Sequence, residues 1–365
     1  MLSRQPAAER AKHLLSNAAK YLQTSSPVQH PDLSRIMDAS MYLPLGDPAY
    51  RGHRLMEPNY AENSADSLSF VMDTGEPGAT GRDRIEATTG AMAEVVGNHF
   101  GGEALNWFRG RSEPVAGGGF RTADWGASFG ASLDRKGLTE ASAIYEWGPE
   151  LMDSLSKPLF NATRMTMQSL QGIRPSFSSI RCGRFSGTQQ VTLAVEAALP
   201  LANLQPLMNE LGLGHQHAGL MSACALILGA RFTLPPNTST ITLRPLRHGL
   251  EFRLDVLLDA LPDTPGQILS LLRLSLGERP RSLRSLERWL MAFTPEGYPG
   301  PGKFSVLSVW VRPDTSARIA LFLRPAPLEG ESREDRSANG GGKSPVIPSA
   351  GQSTAESWNS WSPEY

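Results

Sequence analysis

In Gly249-Leu-Glu-Phe-Arg-Leu-Asp-Val-Leu-Leu258, the charged residues Glu251, Arg253 and Asp255 alternate with Leu250, Phe252, Leu254 and Val256. A period of two puts the charged set on one face of a strand and the apolar set on the other. Turned to bulk water, the charged face is an ordinary solvated surface. Turned into an enclosed space, a guanidinium between two carboxylates is a binding site. Other cations lie in segments of strand character: Arg181 and Arg184 in Ser179-Ile-Arg-Cys-Gly-Arg-Phe185, and Arg318 in Ala317-Arg-Ile-Ala-Leu-Phe-Leu-Arg-Pro325. Arg181 and Arg184 differ in parity, so at most one points to a given face unless the strand bulges at Gly183.

Other catalytic signatures are absent from the sequence. It contains no aspartate-rich DDxxD, Walker A loop, HExxH or G-x-S-x-G. The glycine-rich segment from Gly75 to Arg84 lacks the Lys-Ser/Thr ending of a phosphate loop and reads as a connection. His215 and His217 are two apart at a helix start, which turns their rings to different faces and argues against a metal pair. The two cysteines, Cys182 and Cys224, form no CxxC, so neither a zinc site nor a disulfide scaffold is indicated. A reducing compartment suits them.

The chain has 365 residues and a formal net charge of −1. That balance implies neither nucleic acid nor a membrane surface as partner and suits a small molecule. The N-terminal MLSRQPAAERAKHLLSNAAKYL is charged too early for a signal peptide and reads as an amphipathic helix. No run approaches the roughly 20 apolar residues of a membrane helix. A cytoplasmic protein is expected. Residues 327–365 are polar, rich in Gly, Ser and Pro and without periodicity, and read as a disordered tail. Residues 1–326 form either two domains or one large unit of repeats, and repetition favours the second.

The elements that would position the charged faces recur in a fixed order. Alternating segments pair at 53–60 with 67–75, 124–134 with 139–147, 176–185 with 188–197, 239–247 with 250–258, and 303–313 with 317–325. Helical periodicity precedes each pair, and the helix between the first two pairs is interrupted near Gly101-Gly102. Helices linking antiparallel pairs leave one sheet face bare. Closing ten strands into a barrel removes the edges and turns that face into a lumen. The expected fold is α+β: a ten-stranded antiparallel β-barrel of five helix-strand-strand repeats, with an outer ring of helices and a solvent-accessible lumen. By parity Arg253, Gln190, Thr192, Arg318, Phe322 and Arg324 would share the polar, inward faces.

With Leu55-Met-Glu-Pro-Asn-Tyr60, the pair around Asp124-Trp-Gly-Ala-Ser-Phe129 and Glu140-Ala-Ser-Ala-Ile-Tyr-Glu-Trp147, and the closing stretch from Lys303 to Pro325, the chain resembles the aromatic prenyltransferases of the ABBA fold. The likeness runs over residues 40–326 and is nearest to the bacterial and fungal indole-prenylating branch. It implies transfer of a dimethylallyl or geranyl group from its diphosphate to an indole-type or other electron-rich aromatic acceptor. The alternative is a non-catalytic barrel that keeps an aromatic or isoprenoid ligand.

The resemblance implies that Glu57 grips the indole N–H. Tyr60, Tyr145, Trp147, Trp310 and Phe322 become candidates to shield the allylic cation. Several usual diphosphate ligands are missing, because Ser69, Ser142, Ile144, Gln190 and Thr192 stand at their strand positions. Gln190 remains a substrate-binding candidate, and Arg181, Arg253 and Arg318 are candidates to replace the missing cations. Glu251 and Asp255 either neutralise Arg253 or help hold a Mg2+ ion on the diphosphate, since hard carboxylate oxygens suit that ion. No organic cofactor is implied.

Overall fold

The computed structural model describes residues 5–50, 53–64, 66–116, 123–264 and 266–329. The alternating segments form β1 (Glu57–Ala61), β2 (Leu68–Asp73), β3 (Ala127–Asp134), β4 (Gly137–Glu146), β5 (Ile173–Gly183) and β6 (Gly187–Val195). They continue as β7 (Ser239–Leu246), β8 (Gly249–Leu257), β9 (Gly302–Arg312) and β10 (Thr315–Pro325). Each strand pairs antiparallel with its neighbours in sequence, and β1 closes on β10. The result is the expected closed ten-stranded barrel, with no free edge.

Helices lie around it. They are α1 (Ala7–Leu22), α2 (Pro31–Ser40), α3 (Gly81–Ala116), α4 (Leu151–Ser154), α5 (Lys157–Ser169), α6 (Leu204–Glu210), α7 (His217–Ile227), α8 (Ile268–Ser275) and α9 (Pro280–Ala292). The break expected in α3 falls at Gly101, whose φ of 87° leaves the helical region. Helix α2 is not anticipated by the sequence reading. It starts with Pro31 at its first turn, where the missing N–H costs nothing.

Side-chain parity explains why the barrel is inverted relative to a small apolar-cored one. Leu250, Phe252, Leu254 and Val256 point outward and join the core formed with the helices. Each such side chain contributes about 1.5–3 kcal/mol relative to exposure. A one-residue slip of β8 would drive Glu251, Arg253 and Asp255 into that apolar shell, so the register is fixed. At the β7–β8 turn, Gly249 has φ 115°, and a Cβ there would stand 2.8 Å from Cγ of Pro313.

The described chain continues past β10 through the turn Ala326–Leu328, where Leu328 is buried. The rest of the expected tail, from residue 330, lies outside the described residues. Among the described residues no helix is long and apolar enough to cross a membrane.

Candidate active site in the barrel lumen

The charged face of β8 looks into the lumen. Glu251 is opposite Arg244 of β7, Arg253 is opposite Thr242 of β7 and Trp310 of β9, and Asp255 is opposite Thr240 and Ser308. The charges are buried and paired. Arg253 Nε donates to Asp255 at 3.0 Å and its Nη2 donates to Thr242 Oγ1 at 3.0 Å. Glu251 accepts from Arg244 and from Arg312 Nε, the latter at 2.7 Å. On β5, Arg181 faces inward and binds Glu140 of β4, with Nε at 2.9 Å. Four guanidiniums (Arg181, Arg244, Arg253, Arg312) thus meet three carboxylates (Glu140, Glu251, Asp255), which leaves the cluster at +1.

Burial and pairing pull these groups in different directions. Burial pushes the Arg244 guanidinium down to about 10, against the opposing pull of Glu251. Burial alone would raise the Glu251 carboxyl, but Arg244 and Arg312 outweigh it and hold Glu251 below the ordinary value. For Asp255 burial prevails over Arg253 and Ser308, and its carboxyl is raised.

Several neutral donors face the same space. Trp310 Nε1, Gln190 Nε2 and Ser142 Oγ are buried and have no hydrogen-bond partner among the described residues. A buried polar atom left without a partner costs about 1–3 kcal/mol, so these three lumen atoms are available to a ligand or to water. By register Ser142 is opposite Arg181, and Trp310 is opposite Arg253 and Arg318. The wall formed by β2 to β4 is built of small groups, including Ser69, Ser128, Gly130 and Ser132.

Next to the polar cluster lies an apolar one, formed by Ala61, Val71, Ile144, Phe177, Leu257, Val306, Ala320 and Phe322 and separate from the outer core. Trp125 packs on it, with its ring edge-on to Phe177 at a centroid distance of 5.4 Å. Glu57, at the start of β1, is buried and held by Arg324 Nε at 3.0 Å and Arg54 Nε at 3.4 Å. Each carboxylate oxygen has a second lone pair free for a further donor.

The structure brings together Glu57, Arg181, Gln190, Glu251, Arg253, Asp255, Trp310 and Phe322 on inward faces. Arg318 is on the inward parity but stands at the hairpin end, partly exposed, with Ser316 at 3.1 Å and Glu62 at 3.8 Å. Arg184 lies beyond β5 and is spent on Asp134 and the Leu138 carbonyl. Tyr145 is a correction: it faces outward, and its hydroxyl meets Thr89 of α3 at 3.0 Å. Its parity is that of Ala141 and Ala143, which belong to the outer core. Tyr60 also faces outward, with its hydroxyl donating to the Ser282 carbonyl, and Trp147 packs on the outer core.

Glu251 and Asp255 as ligands of Mg2+ are a second correction. Glu251 Oε2 is taken up by Arg244 and Arg312 and both Asp255 oxygens by Arg253 and Ser308, and the described residues contain no cluster of three or more His, Cys, Asp or Glu that could hold a metal ion. A dication would have to displace guanidiniums already bonded there, so this donor set does not fit one.

Arg244, Arg312, Trp125 and Phe177 were missed by the sequence reading. The parity argument would have found the first two: Arg244 alternates with Ile241 and Leu243, and Arg312 is two residues from Trp310. Trp125 precedes its strand and carries no periodic signal.

A closed antiparallel barrel with an outer helical ring and a polar, cationic lumen is the architecture of the ABBA prenyltransferases, and this chain has that fold. It is similar to 5-dimethylallyltryptophan synthase from Streptomyces coelicolor, with 14% identity over 90% of this chain and 100% of that one, and a TM-score of 0.66. A 6-dimethylallyltryptophan synthase from Micromonospora olivasterospora, in complex with DMASPP and Trp, gives 13% identity over 88% and 98% of the two chains at a TM-score of 0.68. AnaPT from Neosartorya fischeri gives 10% identity over 76% and 79% at a TM-score of 0.52. The sequence matches no family model and no curated protein.

Proposed function

We propose that the protein is an aromatic prenyltransferase that moves a dimethylallyl or geranyl group from its diphosphate to an indole-type acceptor. The observation that carries this reading is the lumen itself. It combines a buried guanidinium cluster of net positive charge, unpartnered donors, an apolar aromatic patch and the carboxylate of Glu57 in one enclosed space.

Each part has a task. The allylic C–O bond breaks and diphosphate leaves toward Arg181, Arg244, Arg253 and Arg312, helped by the N–H groups of Trp310 and Gln190. Phe322, Phe177 and Trp125 shield the allylic cation from water. Glu57 accepts the ring N–H and enriches the arene, whose carbon forms the new C–C bond before losing its proton to a base. No step is routed through a metal. The solved neighbours include a complex with DMASPP and Trp, which agrees with a paired donor and acceptor.

A non-catalytic barrel is the second reading, favoured by two observations: the lumen arginines are already paired with carboxylates, and Ser69, Ser142 and Ile144 stand where the family's cations and tyrosine are usual. Incubating dimethylallyl and geranyl diphosphate with indolic and phenolic acceptors, with and without Mg2+, separates the two. Prenylated arene with released diphosphate is expected; neither, with any pair, overturns the enzyme reading. A cytoplasmic setting is part of the proposal and is supported by the buried free thiols of Cys182 and Cys224, which burial raises to about 12.

A further inference from the structure

Asn59 is two residues after Glu57 on β1, on the same inward face, and opposite Phe322 on β10 and Ser69 on β2. It is only 2% exposed, and both its side-chain oxygen and nitrogen lack a hydrogen-bond partner among the described residues. The neutral neighbour opposite it, Ser69, bonds Ser132 Oγ at 2.6 Å and not Asn59. Of its other same-face neighbours, Ala61, Val71, Ala320 and Phe322 belong to the apolar inner cluster, and Glu57 and Arg324 are bonded to each other.

We infer that Asn59 reads a carboxamide on the acceptor. An Asn amide offers an acceptor and a donor side by side, and its complement is a planar edge with one donor and one acceptor, as in its bidentate pairing with adenine. Alternate residues of a strand are about 7 Å apart, so an indole whose N–H reaches Glu57 can extend a short C3 side chain to Asn59. A zwitterionic amino-acid side chain would also present a donor and an acceptor, but it would put two full charges beside Val71, Phe322 and Ala320, where the nearby ions on these strands, Glu57 and Arg324, are already bonded to each other. A neutral carboxamide avoids that desolvation. The inference rests on the prenyltransferase reading and adds the acceptor class: indoles with a neutral carboxamide at C3.

The test compares indole-3-acetamide, tryptophan and 3-methylindole on wild type and Asn59→Leu, by turnover with dimethylallyl diphosphate and by calorimetric binding without it. Wild type should favour the acetamide over both others by at least about tenfold, as expected when two hydrogen bonds are gained. Asn59→Leu should abolish that preference. The near-isosteric leucine removes two unpartnered atoms, so the variant is also expected to melt no lower than wild type. Equal selectivity in wild type and variant, or a wild type that prefers tryptophan, overturns the inference. The outcomes stay distinct from those of the parent reading: the binding preference without turnover supports Asn59 and removes the enzyme, while turnover without the preference does the reverse.

Discussion

Arg324 Nε donates to Glu57 Oε1 at 3.0 Å where β10 closes on β1, and Arg54 Nε lies 3.4 Å from the other oxygen. The carboxylate that is to grip an indole N–H is therefore fixed from two sides before any acceptor arrives. Fixing it in advance is what allows a hydrogen bond to orient a ring without reorganisation.

Glu57→Gln keeps the size and one acceptor oxygen but removes the charge. Turnover on indoles should fall by about 10²-fold. A phenolic acceptor, which has no ring N–H, should lose much less. Product formation on both acceptor types checks this, and equal losses would remove the assigned role from Glu57.

Arg253→Met leaves Asp255 buried with only hydroxyl partners from Thr240, Thr242 and Ser308. Breaking a buried pair from one side costs about 3–5 kcal/mol, whereas replacing both partners is often close to neutral. Arg253→Met should therefore be strongly destabilised in denaturant unfolding, and Arg253→Met/Asp255→Leu should recover most of the loss. Binding of inorganic diphosphate should weaken about tenfold or more in both, since a charge-assisted hydrogen bond is lost in each. Recovery of stability together with recovery of diphosphate binding would show that Arg253 only serves the fold.

The fold was legible because closure of the barrel makes parity obey one rule on every strand. Apolar residues face the helices and polar ones the lumen, so the destination of Arg253 followed from counting alternate positions and hairpins. Parity also separates Tyr145 from the site: its aromatic ring suits a shield, but its position in step with Ala141 and Ala143 turns it to the helices. Pairing was not legible. Which carboxylate Arg312 would meet depends on the β8–β9 register, and Arg324 meets Glu57 only because strands 267 residues apart in sequence are joined by closure. Helix α2 escaped notice because its ten residues are too few to display a clear period between proline-rich connections.

Glu251 and Asp255, four residues apart on one strand face, should contribute to acid stability with opposite signs. Glu251 is held below its ordinary value, so its stabilisation is present above the unfolded value of about 4.3 and is lost as pH falls through the folded one. Asp255 is raised, so between about 3.9 and its folded value the native state binds the extra proton, and acidification recovers stability. Unfolding free energy measured from pH 7 down to pH 3 should therefore fall less steeply in Glu251→Gln and more steeply in Asp255→Asn than in wild type. Parallel profiles for all three would contradict the pairing described for this cluster.

Trp310 combines two properties that one substitution can separate. Its ring stacks under Arg312, whose Cζ is 4.9 Å from the ring centroid, while its N–H has no partner among the described residues and the residue stands opposite Arg253. Trp310→Phe keeps an aromatic face for Arg312 and deletes the donor. If that N–H serves the leaving diphosphate, the variant should show a rise in KM for the prenyl diphosphate or a fall in kcat of about tenfold, the effect of one lost charge-assisted hydrogen bond. Its stability should drop by less than a tryptophan truncation to alanine, about 3–5 kcal/mol, because the unpartnered N–H is removed with the indole and most of the ring volume stays. Steady-state kinetics against the diphosphate, with the acceptor saturating, reads the first effect and thermal unfolding the second. Unchanged kinetics in a folded variant would leave Trp310 with the packing of Arg312 alone, and the leaving group would then be received by the arginines and Gln190.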